Sequence, residues 1–365
     1  MKWLKNFLLL TFPSLLILFI LLELFFRWVI PASDVPRAFF NEQEGMYYFD
    51  TALKDGLYTL GKYAEVRGRW HINNRSWNSA VDYDEAGEKP VIAVIGDSYI
   101  EALQVDTGES YPDLLRRQLS PGHAVYAFGK SGAPLSQYLH MSRYVRKHFK
   151  PRVIIVNIIY NDFAESIRSR YPEYSYFLQL DTLSKDSLYE VPPRTRGDFL
   201  QYHPWKRLIY KSALFRYCFF NLHAAEMWRN WKGNRDKKFE GNIDVDEVES
   251  IKPEVQRATD YILGRFREEN PDSKFLFVMD GTRDGIYNNN RSGSKVAWMY
   301  AMMRELTRKY GFSFLDLTEP MKEDYRRNHQ AFNAPIDRHW NEYGHALVAH
   351  EVGAFLRDSG FLAPR

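Results

Sequence analysis

Residues 91–98 read VIAVIGDS, a run of five apolar residues that leads into Gly96-Asp97-Ser98. Most of the apolar residues are β-branched, which favours a strand buried on both faces of a sheet. A glycine allows the chain to turn tightly where such a strand ends. Ser98 would then begin the next helix, where backbone N–H groups stabilise negative charge. This stretch therefore predicts a buried strand that ends at a serine with oxyanion donors close by.

The rest of the chain repeats this pattern of strand and helix. Further apolar runs that we interpret as buried strands occupy residues 124–128, 153–159, 275–279 and 312–317. Amphipathic stretches that we interpret as helices occupy residues 110–119, 135–149, 253–268, 294–310 and 342–357. Alternating strands and helices are typical of a parallel sheet wrapped by helices. The sequence thus predicts an α/β fold built on five parallel strands.

The composition excludes several classes of protein. Of the 365 residues, 45% are hydrophobic and 26% are charged, a balance that is typical of globular chains and not of disordered ones. The net charge of +3 gives no reason to expect a nucleic-acid partner. Cys218 is the only cysteine, so the chain has neither an internal disulfide nor a cysteine-based zinc site. We expect no metal ion and no other cofactor.

The amino-terminal segment, residues 1–30, predicts a membrane anchor. Between residues 7 and 26 only Glu23 is charged, and the apolar run is about 20 residues long, which is the length that a helix needs to span a bilayer. Lys2 and Lys5 precede the run and no small-x-small cleavage site follows it closely, so an uncleaved signal anchor is favoured over a removable signal peptide. We expect a single-pass protein of the inner (cytoplasmic) membrane whose remaining chain is periplasmic or extracellular.

The remaining chain divides into two parts. Residues 31–89 contain no long periodic run, and we interpret them as a juxtamembrane stalk or a small β appendage. Residues 90–365 form the main domain, which is interrupted at about residues 165–242 by an insertion rich in Tyr, Arg, Trp and Phe. The predicted helix of this insertion, residues 211–231, could pack on the domain, cap the site or lie on the membrane surface.

The residues that could carry chemistry fall directly after the predicted strands. Ser98 follows the first strand, Gly129 the second and Asn161 the third, and Asp337 and His339 lie past the fifth. Because ligands bind at the carboxyl ends of parallel strands, we expect these residues to meet at one edge of the sheet. A serine becomes a nucleophile when a histidine takes its proton, a carboxylate orients the histidine, and N–H donors hold the oxyanion. The set therefore predicts acyl transfer at a serine.

Taken in order, these motifs resemble the four sequence blocks of the SGNH, or GDSL-type, hydrolase superfamily. The resemblance covers about residues 90–357 and rests on Gly96-Asp97-Ser98, Gly129, Asn161-Asp162 and the carboxyl-terminal Asp/His pair. The Asp-x-His-Trp-Asn ending and the single amino-terminal anchor are similar to membrane-anchored members associated with bacterial exopolysaccharide and alginate O-acetylation.

The resemblance implies a fold and a role for each residue. The implied fold is a flavodoxin-like α/β/α sandwich with a five-stranded parallel sheet. Ser98 would be the nucleophile and His339 the base, oriented by Asp337. The oxyanion hole would consist of the Ser98 N–H, the Gly129 N–H and the Asn161 side chain.

The sequence departs from the pattern of the superfamily at three points. Tyr160 stands where the third block usually has glycine, and Ala127 stands where an asparagine often precedes the glycine of the second block. Asp337 lies two residues before the histidine instead of three, as in the acetylation-associated members. We expect the first two departures to reshape the wall of the pocket while leaving the donors in place, which makes Tyr160 a candidate for substrate binding.

Two residues after the fourth predicted strand are further candidates for substrate binding. Asp280 and Arg283 reach the same edge of the sheet as the serine. The sequence alone is equally compatible with a turn-forming role for them.

The residues and the resemblance together predict a membrane-anchored serine esterase or O-acyltransferase that removes or transfers O-acetyl or other acyl groups on carbohydrate. The two activities use the same residues, because they differ only in whether water or a sugar hydroxyl attacks the acyl-enzyme. The expected substrate is an acylated carbohydrate or polysaccharide, and a membrane acyltransferase is a candidate partner. The alternative is a catalytically silent scaffold of the same fold that binds polysaccharide or such a partner.

Overall fold

The computed structural model describes residues 7–184, 187–195, 210–222, 239–240, 243–288 and 295–362. The strands, in chain order, are β1 (Ala38–Asn41), β2 (Met46–Phe49), β3 (Asp55–Leu60), β4 (Val66–His71), β5 (Val91–Gly96), β6 (Ala124–Gly129), β7 (Val153–Ile158), β8 (Gln179–Ser184), β9 (Ser187–Val191), β10 (Phe239–Glu240), β11 (Ile243–Asp244), β12 (Lys274–Met279) and β13 (Ser313–Asp316). The α-helices, in chain order, are α1 (Phe12–Trp28), α2 (Ser98–Glu101), α3 (Tyr111–Leu119), α4 (Leu135–Phe149), α5 (Tyr160–Glu165), α6 (Ala213–Arg216), α7 (Val245–Ser250), α8 (Lys252–Glu269), α9 (Arg283–Tyr287), α10 (Ala297–Lys309), α11 (Thr318–Asn328) and α12 (Glu342–Asp358).

A five-stranded parallel sheet forms the centre of the main domain. Its strands lie in the order β13-β12-β7-β5-β6, and every neighbouring pair is parallel. Numbered along the chain, this order is 2-1-3-4-5, which is the flavodoxin-like order. The predicted α/β fold with five parallel strands is confirmed, and each predicted strand agrees with the observed one to within one residue at either end.

Burial explains why these segments form strands. Every residue of β5 and β7 is buried, as expected of central strands covered on both faces. Two groups of helices cover the sheet. In one group α3 packs on β6 and on α12, and in the other α4 packs on β5, β7 and α8. The sheet therefore presents a rigid row of strand ends from which site residues can project.

Helix α1 is mostly apolar, and its only charged residues are Glu23 and Arg27. Together with the preceding turn, it includes a span-length apolar segment, Leu9–Trp28, of mean hydropathy 2.4, and none of this segment is buried in the protein. By length and composition it could be a membrane anchor or a signal sequence. Near its carboxyl end, Glu23 pairs with Arg27 at 2.5 Å and also accepts hydrogen bonds from Ser212 and from the backbone of Ala213.

Residues 31–89 contain two antiparallel hairpins, β1–β2 and β3–β4. The second hairpin packs directly on the main domain, since a side chain at Gly68 would overlap the backbone of Leu103 and Val105. Beyond the hairpins, Trp77 and Tyr83 are buried in the main core, and the Tyr83 hydroxyl donates to the carbonyl of Ala127 at 2.7 Å.

The structure describes only parts of the predicted insertion at residues 165–242. These parts include the hairpin β8–β9 and the short helix α6, which continues as a π-helical turn, Tyr217–Asn221. Tyr217 stacks on Phe26 of α1 with ring centroids 3.9 Å apart. Residues 223–231, the second half of the helix predicted at 211–231, lie outside the described residues.

Candidate active site

Ser98 lies at the point where the central strand β5 gives way to helix α2. Gly96 ends the strand, and no larger residue fits there because a Cβ atom would overlap the Ile100 side chain. Asp97 caps the helix by accepting the Tyr99 N–H at 3.0 Å. The turn between strand and helix thus holds Ser98 at the carboxyl end of the sheet.

His339 and Asp337 reach the same point from the far end of the chain. His339 Nε2 lies 2.7 Å from Ser98 Oγ, and His339 Nδ1 lies 2.8 Å from each carboxylate oxygen of Asp337. An ionised carboxylate accepts hydrogen bonds and cannot donate them, so Nδ1 carries the proton that faces Asp337. Nε2 therefore presents a lone pair to the Ser98 hydroxyl, which is the arrangement needed to remove its proton.

The surroundings hold the loop that carries these two residues. Trp340 is buried and donates from Nε1 to Asp280 at 3.0 Å. The Tyr99 hydroxyl donates to the Arg338 carbonyl at 2.8 Å, and the Tyr99 ring lies 4.8 Å from the His339 ring. Neighbours on both sides of His339 are thereby tied to the main domain, which fixes the position of the imidazole.

Electrostatics keep Asp337 ionised. Burial acts to raise the pKa of Asp337, but the hydrogen bonds and charge of His339 outweigh it and hold the pKa below its usual value. The neighbouring carboxyl of Asp97 differs, because burial raises its pKa to about 6. Asp97 lies 3.4 Å from Ser98 Oγ, farther than His339, and its other oxygen is engaged by the Tyr99 N–H. Asp337 is thus the carboxylate that orients the histidine.

Gly129 and Asn161 flank Ser98 because their strands flank its strand. In the sheet β5 lies between β6 and β7, and Gly129 pairs in register with Gly96. A Cβ atom at Gly129 would overlap the backbone nitrogen of Glu101, so the close approach of the end of β6 to helix α2 requires glycine. Asn161 lies in the first turn of α5, and its Nδ2 donates to Glu165 at 2.9 Å.

The three candidates for substrate binding line a cavity of about 350 Å³ behind the His339 loop. Their polar groups already have partners in the protein. Asp280 and Arg283 form an ion pair at 2.8 Å, and Arg283 also donates to the Tyr99 hydroxyl at 2.7 Å. The Tyr160 hydroxyl lies 2.7 Å from that of Tyr300. The arrangement supports the His339 loop through the contact between Asp280 and Trp340.

Two buried groups beside the site were not predicted from the sequence. The first is an ion pair, and the second is a single carboxyl group. Glu101 and Lys130 form an ion pair at 4.0 Å, and Ser131 donates to the Glu101 carboxylate. Lys130 Nζ lies 3.2 Å from the ring centroid of Phe49, and burial lowers its pKa to about 8. The Gly-Lys-Ser sequence after β6 gave no sign of this pair, because the partner glutamate lies 29 residues earlier.

Glu165 is the second group that the sequence reasoning missed. It is only 8% exposed, and burial raises its pKa to about 7. The signal that could have revealed it is the four-residue spacing from Asn161, which places both side chains on one face of a helix.

Within the described residues, no group of three or more His, Cys, Asp or Glu side chains could hold a metal ion. His345, which the sequence places near the end of the chain, accepts the Tyr111 N–H at its Nδ1, and burial lowers its pKa to about 3. It is therefore a neutral, structural histidine.

Comparison with known proteins identifies a family that the chain matches. Residues 94–347 match the model of the GDSL-like lipase/acylhydrolase family. No curated protein matches the chain. Solved structures with a similar fold include the acetyl xylan esterase AlAXEase, at 12% identity and a TM-score of 0.40, covering 72% of this chain and 98% of that one. They also include an α/β hydrolase enzyme from the metagenome of Lake Arreo, Spain, at 16% identity and a TM-score of 0.40, covering 77% and 99%, and TesA, at 11% and 0.40, covering 73% and 98%.

Proposed function

The chain belongs to the GDSL-like lipase/acylhydrolase family, and on that premise we propose that it cleaves or transfers ester-linked acyl groups with Ser98 as its nucleophile. The observation that carries the proposal is the continuous set of short contacts from Ser98 Oγ through His339 to Asp337. Each contact lies within hydrogen-bond reach, as a general base and its orienting group require.

The chemistry proceeds in two steps. Ser98 Oγ attacks the ester carbonyl carbon while its proton passes to His339 Nε2. The bond to the leaving alcohol then breaks, and His339 returns the proton to the alcohol oxygen. In the second step water, or an acceptor hydroxyl, attacks the acyl-enzyme carbonyl and gives its proton to His339. The bond between the acyl carbon and Ser98 Oγ then breaks, His339 returns the proton to Oγ, and the acyl group leaves as an acid or as a new ester.

We assign the oxyanion hole to the Ser98 N–H, the Gly129 N–H and the Asn161 amide. The support for this assignment is placement: Gly129 and Asn161 follow the two strands that border the strand of Ser98. Negative charge develops on the carbonyl oxygen in each step, and preorganised donors stabilise it more in the transition state than in the ground state.

The substrate class that we propose is acylated carbohydrate. Support comes from a tyrosine cluster, Tyr171, Tyr174 and Tyr176. Tyr174 and Tyr176 lie beside Gly132 in the loop that follows β6, and Tyr171 packs edge-on against Tyr174. The rings of Tyr174 and Tyr176 stack at 6.2 Å, and all three side chains are half-buried. Tyrosine rings offer an apolar face and a polar tip, as recognition of a sugar ring requires. Acetyl is the acyl group that we propose, on the resemblance to acetylation-associated members.

We propose that the helix over Leu9–Trp28 is retained as an anchor and that the main domain lies beyond the membrane. Its length and its apolar composition support this topology. Alkaline phosphatase fused after residue 35 should then be active, and the mature protein should keep its first 30 residues by mass. A mature protein that begins near residue 32 would show instead that the segment is a removed signal sequence.

The activity is tested on the full chain in detergent with p-nitrophenyl acetate and acetylated xylan. Release of acetate establishes hydrolysis, and addition of unacetylated oligosaccharide tests whether the acyl group is transferred to it. Tyr176→Ala should raise KM for acetylated xylan and leave p-nitrophenyl acetate unaffected, whereas the control Tyr189→Ala, at a 42% exposed tyrosine of β9, should change neither. Equal KM values for parent and Tyr176→Ala on xylan would remove the tyrosine cluster from the proposal.

A further inference from the structure

Glu165 and Asn161 are joined inside the first helix that follows β7. Glu165 is the last residue of α5, one helical turn beyond Asn161. The Asn161 Nδ2 donates to the Glu165 Oε2 at 2.9 Å. Glu165 is 8% exposed, so this bond forms in a site largely shielded from water, where hydrogen bonds of charged groups are strongest.

The carboxyl group of Glu165 is itself held from a second direction. The Tyr174 hydroxyl of the tyrosine cluster interacts with the carboxyl group and acts to lower its pKa. The Gln179 side chain donates to the backbone carbonyl of Glu165 at 2.9 Å and to that of Tyr171 at 2.8 Å. The end of α5 is therefore fixed by the segment that begins the predicted insertion.

A carboxyl group in this position decides which way the amide points. An ionised carboxylate accepts hydrogen bonds and cannot donate them. While Glu165 is ionised, the atom of Asn161 that faces it must be Nδ2, as in the structure, and the amide oxygen is turned away. If the amide were flipped, a carbonyl oxygen would meet the developing oxyanion, and like partial charges would raise the barrier.

We infer that Glu165 is a positioning residue of the oxyanion hole, which holds the Asn161 amide with its nitrogen directed for donation. The inference rests on the proposed role of Asn161 as an oxyanion donor. Glu165 does not touch the substrate in this assignment, and it acts only through Asn161. The link from Glu165 to Tyr174 also connects the oxyanion hole to the tyrosine cluster.

The test compares Glu165→Met, which keeps the length of the side chain but cannot accept the bond, with Glu165→Gln, whose carbonyl can. Steady-state kcat and KM for p-nitrophenyl acetate are measured on the full chain. Glu165→Met should lower kcat at least about 10-fold with KM changed less than about twofold, because the interaction matters in the transition state. Glu165→Gln should restore kcat to within about threefold of the parent. The matched control is Glu173→Gln at an exposed carboxylate close by, which should leave kcat unchanged.

A double variant separates this role from a merely structural one. Because Glu165 acts through Asn161, the pair Asn161→Ala and Glu165→Met should be no slower than Asn161→Ala alone. Additive losses would overturn the inference, as would an unchanged kcat for Glu165→Met. If Glu165→Met does not fold, Glu165→Gln provides the test. A Glu165→Gln variant that keeps the parental melting temperature but loses the parental kcat would also overturn the inference. Failure of the proposed function would give a different result: the Ser98→Ala variant would turn over esters as fast as the parent protein.

Discussion

His339 Nε2 lies 2.7 Å from Ser98 Oγ although 241 residues separate them in the chain. The sheet brings them together, since Ser98 leaves the central strand β5 and His339 precedes the final helix α12. Asn341 caps that helix by accepting the Gly344 N–H at 2.9 Å, so the helix start fixes the loop immediately after His339. The contact is therefore a consequence of the fold.

Replacement of Asp337 with asparagine should lower kcat by about 10⁴-fold. An asparagine amide can donate to Nδ1, which leaves the proton on Nε2 and removes the lone pair that Ser98 needs. Steady-state kinetics on p-nitrophenyl acetate measure the effect. The control is Asp284→Asn, at a half-exposed carboxylate near the same loop that pairs with Arg338 at 3.1 Å, and it should keep parental kcat. A loss smaller than tenfold in Asp337→Asn would show that another group orients the histidine.

The Asn161→Ala variant should lose about 2.7–4 kcal/mol of transition-state stabilisation, or about 10²–10³ in kcat. The loss follows from removal of one oxyanion donor, and KM should change little because the donor acts mainly in the transition state. The comparison variant Asn328→Ala removes an exposed amide of α11 and should have the parental rate. Proportional changes in KM with constant kcat would instead assign Asn161 to ground-state binding.

The Gly129→Ala variant should be destabilised by about 1–3 kcal/mol, because its methyl group would overlap the backbone nitrogen of Glu101. A backbone atom of the turn behind Ser98 cannot move as a flexible side chain can. Urea unfolding measures the difference. Gly122→Ala serves as the control, since its nearest neighbour, the Leu119 carbonyl, lies at an ordinary 3.7 Å. Equal stability of the two variants would mean that the end of β6 and helix α2 are not so closely apposed.

Burial of Glu165 should make stability fall as pH rises. The folded state raises the pKa of Glu165 from 4.5 to about 7, because burial outweighs the bonds from Tyr174 and Asn161. Between those values the folded state binds the proton more tightly than the unfolded state, so ionisation favours unfolding. The shift corresponds to about 3 kcal/mol of unfolding free energy.

The Glu165→Gln variant measures this contribution. The parent should lose about 3 kcal/mol more than the variant when unfolding is followed by urea titration from pH 4.5 to 7.5. Asp97, Asp162, Glu173 and the neighbouring tyrosines Tyr138, Tyr171 and Tyr174 are the titratable groups that interact with Glu165. They are present in both proteins, so the difference reports Glu165. Parallel stability curves would contradict a carboxyl group whose pKa is raised by burial in the folded state.

Local sequence patterns were sufficient to predict the sheet. Continuous apolar runs mark buried parallel strands, and so the ends of β5 and β13 were predicted to within one residue. Ser98, Asp337 and His339 were grouped in one hypothesis because each lies after a predicted strand. The structure places them in contact. Such predictions succeed because strand ends in a parallel sheet share one edge.

What the sequence did not reveal depends on contacts between distant segments. The partners of Glu23 in the short helix α6 lie about 190 residues away, and no local pattern indicates them. For Asp280 and Arg283, a turn-forming role and a substrate-binding role were equally compatible with the sequence. The reason is that the tryptophan and the tyrosine that contact them come from other segments of the chain. The Glu165 contact is local, yet its burial is produced by Tyr174 and the strand that follows.

The central claim, that Ser98 is a nucleophile activated by His339, is tested most directly by covalent labelling. The full chain is incubated with a fluorophosphonate, and the adduct is located by peptide mass. We expect one adduct, on Ser98, in the parent, no adduct in Ser98→Ala, and labelling at least about 10³-fold slower in His339→Ala, with melting temperatures unchanged. Labelling at another residue, or a Ser98→Ala protein that turns over acetyl esters as fast as the parent, would contradict the claim.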